Sequence, residues 1–273
     1  MSNDLSLEIL RPGFTRGRFR AVVFDFDGTL SLIRRNWPEV MIPMMVEVLA
    51  QTGTDEQRED LAATVEDFVM RLNGKQTIYQ MIQLAEEVQK RGGKAREPLA
   101  YKQQYHDLLQ AQIAGRTAGL KDGTLSPDDI CVPQSHQLLR RLREMGLTLI
   151  LASGTDVVYV REEAELIQVA EFFGPRIHGA LDDYQNFSKA MIIAQVIDEL
   201  KLHGEELLGF GDGFVEISEL RKAGGVAVGV ASEEEKRVGV NQWKRKRLID
   251  AGADIIIGDY RCQNELFATL GLV

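Results

Sequence analysis

Features typical of disulfide-rich and membrane-spanning proteins are missing from this sequence. Only two of its 273 residues are cysteines, Cys131 and Cys262, and neither has a second Cys or His at the spacing of a zinc site. One pair could form, but no disulfide framework is indicated. No run of about 18 apolar residues occurs, so no membrane span is expected. Residues 1–19 are polar and lack the apolar segment of a signal peptide, and we expect a cytoplasmic protein.

Basic residues are also fewer than acidic ones. Lysine and arginine number 32 against 41 aspartates and glutamates, which gives a formal net charge of −9 at pH 7. An acidic chain is repelled by the phosphates of nucleic acids and by anionic lipid surfaces. We therefore expect neither nucleic acid nor a membrane among its partners. The 44% hydrophobic and 27% charged residues are typical of a globular chain with a buried core.

Strand-like and helix-like segments alternate along the chain, with one long interruption. Residues 20–26 form a β-branched and aromatic run typical of a buried strand, and 5–12 favours a small edge strand. Over 37–119 the strand-like runs vanish, and after that they alternate with helical patterns. Such alternation indicates βαβ units around a parallel sheet. We predict an α/β fold, in which 1–36 and 120–273 form a Rossmann-like parallel sheet core flanked by helices and 37–119 is an inserted α-helical bundle.

The inserted segment contains four helical patterns. Apolar residues recur in each at the spacing of one helix face, and glycines separate the helices. The methionines Met41, Met44, Met45 and Met81 fall on these faces. We therefore interpret them as core of the bundle.

After the insertion, the pattern predicts a regular series of elements. Helices are predicted over 134–145, 156–170, 188–202, 215–223 and 241–250, and strands over 147–152, 177–181, 207–210, 226–230 and 254–257. In an open parallel sheet, ligands bind beyond the carboxyl ends of the strands. Polar residues at these ends are therefore the candidates for a site.

Several chemically active side chains follow the predicted strand ends: Asp25, Asp27, Ser153, Lys189, Asp212 and Glu216. Two aspartates directly after a buried strand are costly to bury unless they are paired or bound to a cation. Carboxylate oxygens suit Mg²⁺, and a lysine and a serine suit phosphoryl oxygens. A carboxylate can then attack phosphorus, a step that like charge would oppose without the cation and the lysine. These residue types together indicate phosphoryl transfer.

The order of these residues resembles that of the haloacid dehalogenase superfamily. Asp25-Phe26-Asp27-Gly28-Thr29, Ser153, Lys189 and the stretch from Gly211 to Glu216 look like its four motifs. The resemblance covers the chain from Arg20 onward, and the helical insertion is similar to the α-helical cap domain of the phosphoglycolate phosphatase and β-phosphoglucomutase branch. It implies a phosphoric monoester hydrolase with Mg²⁺ as its cofactor.

The resemblance also implies a role for each matching residue. Asp25 would be the nucleophile and a metal ligand. Asp27 would protonate the leaving oxygen, then activate water, and would give the metal its backbone carbonyl. Ser153, Gly154 and Lys189 would hold the phosphoryl group.

Two further acids complete the implied metal site. Asp212 would bind the metal directly, and Glu216 would support it through water. The family usually has Asp at the position of Glu216, so this residue is a departure from the pattern. The dehalogenases of the family lack an acid equivalent to Asp27, and its presence here favours phosphoryl transfer.

Each of the weaker candidates also has a purely structural interpretation. Ser153 could cap the helix that begins near Asp156, and Lys189 could be a solvated lysine in a first helical turn. Glu216 could be a surface residue. Thr29 could contact the phosphoryl group or only complete the turn.

Three basic residues are candidates for contacts with the substrate. Arg34 and Arg35 follow the first motif and could bind a carboxylate or second phosphate of the substrate, or form a solvated hinge. Lys75, in the polar stretch 73–77 between two helices, could face the active site or belong to an ordinary connector. We interpret the basic run 244–247 as a solvated helix face.

The sequence therefore predicts a Mg²⁺-dependent phosphatase that hydrolyses a small phosphorylated metabolite through an aspartyl-phosphate intermediate. A sugar phosphate or a phosphoglycolate-like acid would be the substrate. The alternatives are a phosphomutase of the β-phosphoglucomutase type and a catalytically silent binding module. We expect a monomer or a homodimer.

Overall fold

The computed structural model describes residues 7–181 and 183–272, and the strands within them form a single sheet. The strands are β1 Leu7–Ile9, β2 Ala21–Phe24, β3 Thr148–Asp156, β4 Ile177–Ala180, β5 Leu207–Gly211, β6 Val226–Val230 and β7 Ile255–Ile257. Their order in the sheet is β1-β7-β6-β5-β2-β3-β4. All neighbours are parallel except β1 and β7. The predicted α/β fold with a mainly parallel sheet is confirmed.

Helices account for most of the remaining chain. They are α1 Pro38–Ala50, α2 Arg58–Arg71, α3 Thr77–Lys90, α4 Pro98–Asp122, α5 Ser135–Glu144, α6 Val157–Leu166, α7 Ala170–Phe173, α8 Lys189–Leu200, α9 Phe214–Lys222, α10 Gln242–Ala251 and α11 Gln263–Leu270. The first four follow one another between β2 and β3, as the helical patterns predict. Within the described ranges, no helix is long and apolar enough to cross a membrane.

The chain divides into two compact units, with boundaries between Arg35 and Asn36 and between Gly115 and Arg116. The larger unit holds the sheet, and the smaller holds α1, α2, α3 and most of α4. Inside the smaller unit, α1 packs against both α2 and α3.

Methionines contribute to the core of the smaller unit. Met41, Met44, Met45 and Met81 are all buried there, which confirms their interpretation as bundle core. An unbranched thioether side chain fills irregular space between helices well.

The centre of the sheet explains why the polar residues converge. Every residue of β2 is buried, and Phe24 pairs in register with Leu151 of β3 and with Phe210 of β5. The Phe24 and Phe210 rings stack with centroids 4.8 Å apart. Because the three strands are parallel and in register, they reach the same edge of the sheet. The segments that follow them therefore meet there.

Most of the elements predicted after the insertion agree with the structure within two residues at each end, and three predicted elements differ by more. The helix predicted over 156–170 is two helices, α6 and α7, with Gln168 at φ +56° between them, a conformation that ends an α-helix. The strand predicted over 147–152 runs on to Asp156, which pairs with Ala180 of β4 beyond an irregularity in the register. The edge strand predicted over 5–12 corresponds to β1, which spans Leu7–Ile9. Residues 5 and 6 of the predicted strand lie outside the described residues.

Candidate active site

Asp25 directly follows the last residue of β2 and continues its backbone hydrogen bonding to β5. Its backbone N–H donates to the Phe210 carbonyl at 2.9 Å, so its carboxylate is held at the edge of the core and is only 6% exposed. The Thr29 hydroxyl donates to Asp25 Oδ2 at 3.3 Å. The Tyr260 hydroxyl in turn donates to the Thr29 carbonyl at 2.8 Å. Thr29 therefore both completes the turn and contacts the carboxylate of Asp25.

Lys189 provides the cation that faces Asp25. It is the first residue of α8, which begins there because the Ser188 hydroxyl accepts the Met191 N–H. Its Nζ donates to Asp25 Oδ1 at 2.7 Å and to Glu216 Oε2 at 2.9 Å. The side chain is buried, so the alternative of a solvated lysine is wrong.

Burial and charge act in opposite directions on this group of residues. Burial raises the pKa of Asp25 well above its ordinary value, against the opposing effect of the Lys189 ammonium. Burial alone would lower the pKa of Lys189, but the carboxylates of Asp25 and Glu216 outweigh it and raise that pKa. Lys189 is therefore a permanent positive charge within the site.

Asp27 is held mainly by hydroxyl groups from β3. The Thr155 hydroxyl donates to Asp27 Oδ2 at 2.8 Å, and the Ser153 hydroxyl lies 3.5 Å from the same oxygen. Ser153 accepts the Thr155 N–H at 3.0 Å instead of capping α6. Asp27 Oδ1 is buried and has no hydrogen-bond partner among the described residues. Gly154, between the two hydroxyls, is half-buried.

The pKa of Asp27 is raised above its ordinary value. Burial is the main cause, and the nearby charge of Arg34 and the Thr155 hydrogen bond offset it in part. A raised pKa together with an oxygen that lacks a partner is the environment of a carboxyl group that can carry a proton.

Asp25, Asp212 and Glu216 form a group of oxygen ligands. One carboxylate oxygen of each lies within 4.8 Å of the others. Glu216 is 3% exposed and accepts the Gly213 N–H at 2.6 Å, so the alternative of a surface residue is wrong. Lys189 contacts only two of the three carboxylates, those of Asp25 and Glu216, and an all-oxygen donor set of this kind fits a hard divalent cation such as Mg²⁺.

Lys244 is a second buried cation at the same edge of the sheet. Its Nζ lies 2.8 Å from Asp212 Oδ2 and 2.5 Å from Glu234 Oε1, and it donates to the Ser232 hydroxyl at 3.1 Å. The side chain is 10% exposed. The interpretation of the basic run 244–247 as a solvated helix face is therefore wrong for Lys244, although it holds for Lys246, which is exposed.

Gly28 allows the turn after β2 to approach Asp212. Its φ of +74° belongs to the left-handed region that favours glycine. A Cβ at this position would overlap Asp212 Oδ2 and would lie 3.0 Å from Lys244 Nζ. No other residue fits this turn without moving the neighbouring carboxylate.

The three basic residues predicted to contact the substrate have different surroundings. Arg34 is 8% exposed and forms a bidentate pair with Glu163 of α6, at 2.9 Å from Nε and 2.7 Å from Nη2 to Oε1. Its guanidinium therefore already has an internal partner. Arg35 is half-buried, and Lys75 is exposed in the smaller unit, with Nζ 5.8 Å from the centre of the Tyr79 ring. Their roles toward a substrate stay predictions.

Sequence reasoning missed three residues of this site, Thr155, Lys244 and Ser232. Each had a detectable signal. Thr155 is two residues after Ser153, so both share one face of a strand. Ser232 follows β6, whose end lies at the same edge as β5. Lys244 is on the buried helical stripe that continues through Leu248 and Ala251.

This chain belongs to the haloacid dehalogenase-like hydrolases, since the sequence pattern of that family matches residues 19–224. The predicted resemblance and the predicted enzyme family are thereby confirmed. No curated protein matches the sequence significantly.

Solved structures share the fold at low sequence identity. A predicted phosphoglycolate phosphatase from Haemophilus somnus is 14% identical with a TM-score of 0.59, over 92% of this chain and 98% of that one. β-Phosphoglucomutase from Clostridium difficile is 14% identical with a TM-score of 0.53, over 85% and 98%. A haloacid dehalogenase family hydrolase from Deinococcus radiodurans, with bound phosphate and sodium, is 16% identical with a TM-score of 0.55, over 94% and 98%. The fold is thus one that phosphatases and phosphomutases have in common.

Proposed function

We propose that this protein is a Mg²⁺-dependent phosphatase that hydrolyses a small phosphorylated metabolite through an aspartyl-phosphate on Asp25. The observation that carries the proposal is the different environment of two neighbouring carboxyl groups. Asp25 faces the Lys189 ammonium, whereas Asp27 accepts a hydroxyl hydrogen bond and keeps one oxygen without a partner among the described residues. One group suits a nucleophile and the other suits an acid and base.

In the first step, an Asp25 carboxylate oxygen attacks phosphorus. A bond forms between that oxygen and phosphorus, and the bond from phosphorus to the leaving oxygen breaks. Protonated Asp27 donates its proton to the leaving oxygen. Burial, which raises the pKa of Asp27, supports this protonated state, whereas at Asp25 the Lys189 ammonium in contact with the carboxylate opposes the same effect of burial. The product alcohol leaves, and the phosphoryl group stays on Asp25.

In the second step, Asp27 is ionised and takes a proton from a water molecule. The water oxygen attacks phosphorus, and the bond from phosphorus to Asp25 breaks. Inorganic phosphate is released, Asp27 is protonated again, and Asp25 returns to a carboxylate. The overall reaction consumes one phosphate ester and one water and yields one alcohol and one phosphate.

The remaining residues bind and balance charge. Asp25, Asp212 and Glu216, with the backbone carbonyl of Asp27, would hold Mg²⁺, which supplies positive charge to the phosphoryl oxygens when bound. Lys189 adds a second positive charge beside Asp25. We propose that Ser153 and Gly154, at the end of β3, hold the phosphoryl group.

We propose that the smaller unit, Asn36–Gly115, is the cap domain that the sequence predicts over 37–119. Its polar stretch with Lys75, and Arg35 before it, are the candidates for contacts with the rest of the substrate. Cation-rich contacts of this kind suit a sugar phosphate or a phosphorylated acid such as phosphoglycolate. The same proposal includes a cytoplasmic location and a monomer or homodimer.

The experiment is release of inorganic phosphate from a panel of phosphorylated metabolites. We expect release from a small subset with Mg²⁺ and loss of release when EDTA replaces the metal. Asp25→Asn should abolish release because the amide is not a nucleophile, while the matched control Asp198→Asn changes an exposed aspartate and should leave the rate unchanged. Full activity in Asp25→Asn contradicts the mechanism.

A phosphomutase of the β-phosphoglucomutase type is the second candidate. The shared fold with β-phosphoglucomutase favours it, and the same acid pair would serve that reaction. A mutase returns the phosphoryl group to a second hydroxyl instead of to water. Release of one phosphate for each substrate consumed excludes it, and conversion between two phosphate isomers without release supports it. If no substrate shows either phosphate release or isomer conversion, a silent binding module is favoured.

A further inference from the structure

Lys244 is a buried cation to which the proposed reaction gives no role. It lies in the first turn of α10, and its ammonium contacts Asp212, Glu234 and Ser232. An ammonium group has three N–H donors, and these three acceptors can take all of them. Lys244 therefore has no donor left for a phosphoryl oxygen. This distinguishes it from Lys189, which has two protein acceptors.

The contacts of Lys244 continue to the turn after β2. The Ser232 hydroxyl accepts from Lys244 and donates to the Gly28 carbonyl at 2.6 Å. Asp212, Lys244, Ser232 and Gly28 thus form one continuous chain of polar contacts. It connects the end of β5 with the segment that carries Asp25 and Asp27.

We propose that Lys244 is a positioning residue that fixes the Asp212 carboxylate in the orientation of a metal ligand, with Ser232 holding that arrangement against the turn at Gly28. The inference rests on the metal site of the proposed function. It assigns Lys244 no contact with the substrate and no part in proton transfer.

Two effects of Lys244 on a bound cation oppose each other. Its positive charge repels a cation, while its contact with Asp212 Oδ2 restricts the rotation of that carboxylate. Glu234, which lies 2.5 Å from the same ammonium, carries the opposite charge and offsets part of the repulsion. Removal of a group that orients a metal ligand typically weakens metal binding about 10- to 100-fold, so we expect positioning to outweigh charge.

The test measures binding of Mn²⁺ alone to the full chain, with free Mn²⁺ counted by electron paramagnetic resonance. Lys244→Met keeps an unbranched side chain one atom shorter and removes its charge and donors. Lys246→Met is the matched control, because Lys246 lies on the same helix and is exposed. We expect Lys244→Met to raise the Kd for Mn²⁺ about 10- to 100-fold and Lys246→Met to leave it unchanged. A merely structural role would change the unfolding midpoint and leave the Kd of the folded variant as in wild type.

Each outcome decides the question. Equal or tighter Mn²⁺ binding by folded Lys244→Met overturns the inference alone, because wild type then binds metal without needing this lysine. A wild-type chain that binds no Mn²⁺ overturns the inference and the metal part of the proposed function together. If Lys244→Met does not fold, Ser232→Ala carries the test. It removes the contacts to both Lys244 and Gly28 and should weaken Mn²⁺ binding, and an unchanged Kd overturns the inference.

Discussion

The two aspartates that flank Asp25 in this site, Asp27 and Asp212, are held by different chemistry. Asp27 accepts a hydrogen bond from the neutral Thr155 hydroxyl. Asp212 faces the Lys244 ammonium at 2.8 Å. The side toward β3 therefore offers neutral donors, and the side toward β6 offers a fixed charge.

This difference matches the tasks proposed for the two groups. A carboxyl group that exchanges a proton needs both of its forms to be accessible, and a cation in contact with it would hold it ionised. A carboxylate that binds a metal needs a fixed orientation, and a charged partner provides a stronger hydrogen bond than a neutral one. We therefore expect substitution of Asp27 to change turnover alone, and substitution of Asp212 to change metal affinity as well.

The largest effect should come from the removal of the proton-carrying group. Asp27→Asn should lower turnover by about 10²- to 10⁴-fold, because an amide cannot act as a general acid or base. Its Mn²⁺ affinity should equal that of wild type, since the backbone carbonyl is retained. Asp212→Asn, on the other side, should lose Mn²⁺ affinity as well as turnover. Steady-state rates and Mn²⁺ titrations of both variants test this assignment. Loss of Mn²⁺ binding in Asp27→Asn would contradict the assignment of proton transfer to Asp27 and metal binding to Asp212.

The next effect concerns stability on the β3 side. Arg34→Met leaves the buried Glu163 carboxylate without its partner, and loss of one member of a buried pair costs about 3–5 kcal/mol. Urea unfolding measures it. Arg18→Met, which breaks the exposed pair with Glu205, is the control and should cost about 0–1 kcal/mol. Equal losses in the two variants would contradict a structural role for Arg34.

The same variant should show a characteristic pH dependence. Burial already raises the pKa of Glu163 in the native protein, and Arg34 opposes that effect. Without Arg34 the folded-state pKa rises further above the unfolded value. The folded state then binds more protons than the unfolded state, so stability falls as pH rises. Urea unfolding of Arg34→Met at pH 5 and pH 8 should show the larger loss at pH 8.

The smallest effect should come from loss of the Thr155 hydroxyl, which donates a hydrogen bond to Asp27. The Thr155 hydrogen bond lowers the pKa of Asp27, although burial keeps it above its ordinary value. Thr155→Val removes that bond, so the pKa of Asp27 should rise and the alkaline limb of kcat/KM should move to higher pH. Thr155→Ser retains a hydroxyl and should restore the wild-type profile. A shift to lower pH, or none, would show that Thr155 does not act on Asp27.

The regular elements were predictable because local pattern and burial agree in them. The strand over 226–230 and the helical insertion follow from periodicity, and the strand-end rule brought Asp25, Asp27 and Asp212 together. The division of the helix predicted over 156–170 depends on one left-handed residue, Gln168, which is not a glycine. No residue type marks such a position in the sequence.

The polar partners within the site were harder to predict than its acids. A lysine in a basic run is solvated in most helices, and only the acceptors supplied by Glu234, Asp212 and Ser232 make Lys244 an exception. Arg34 is a similar case, because its partner Glu163 is separated from it by 129 positions in the chain. Pairing across such distances is a property of the folded sheet and not of any local pattern.

Gly28 has a consequence for how this site can change. The space between its backbone and Asp212 does not admit even a methyl group, so part of the wall of the site consists of main chain. A main-chain wall has no rotamers, and its shape does not vary on the timescale of side-chain motion. New specificity therefore cannot arise by substitution at Gly28. It has to come from positions whose side chains can be exchanged without displacing a carboxylate.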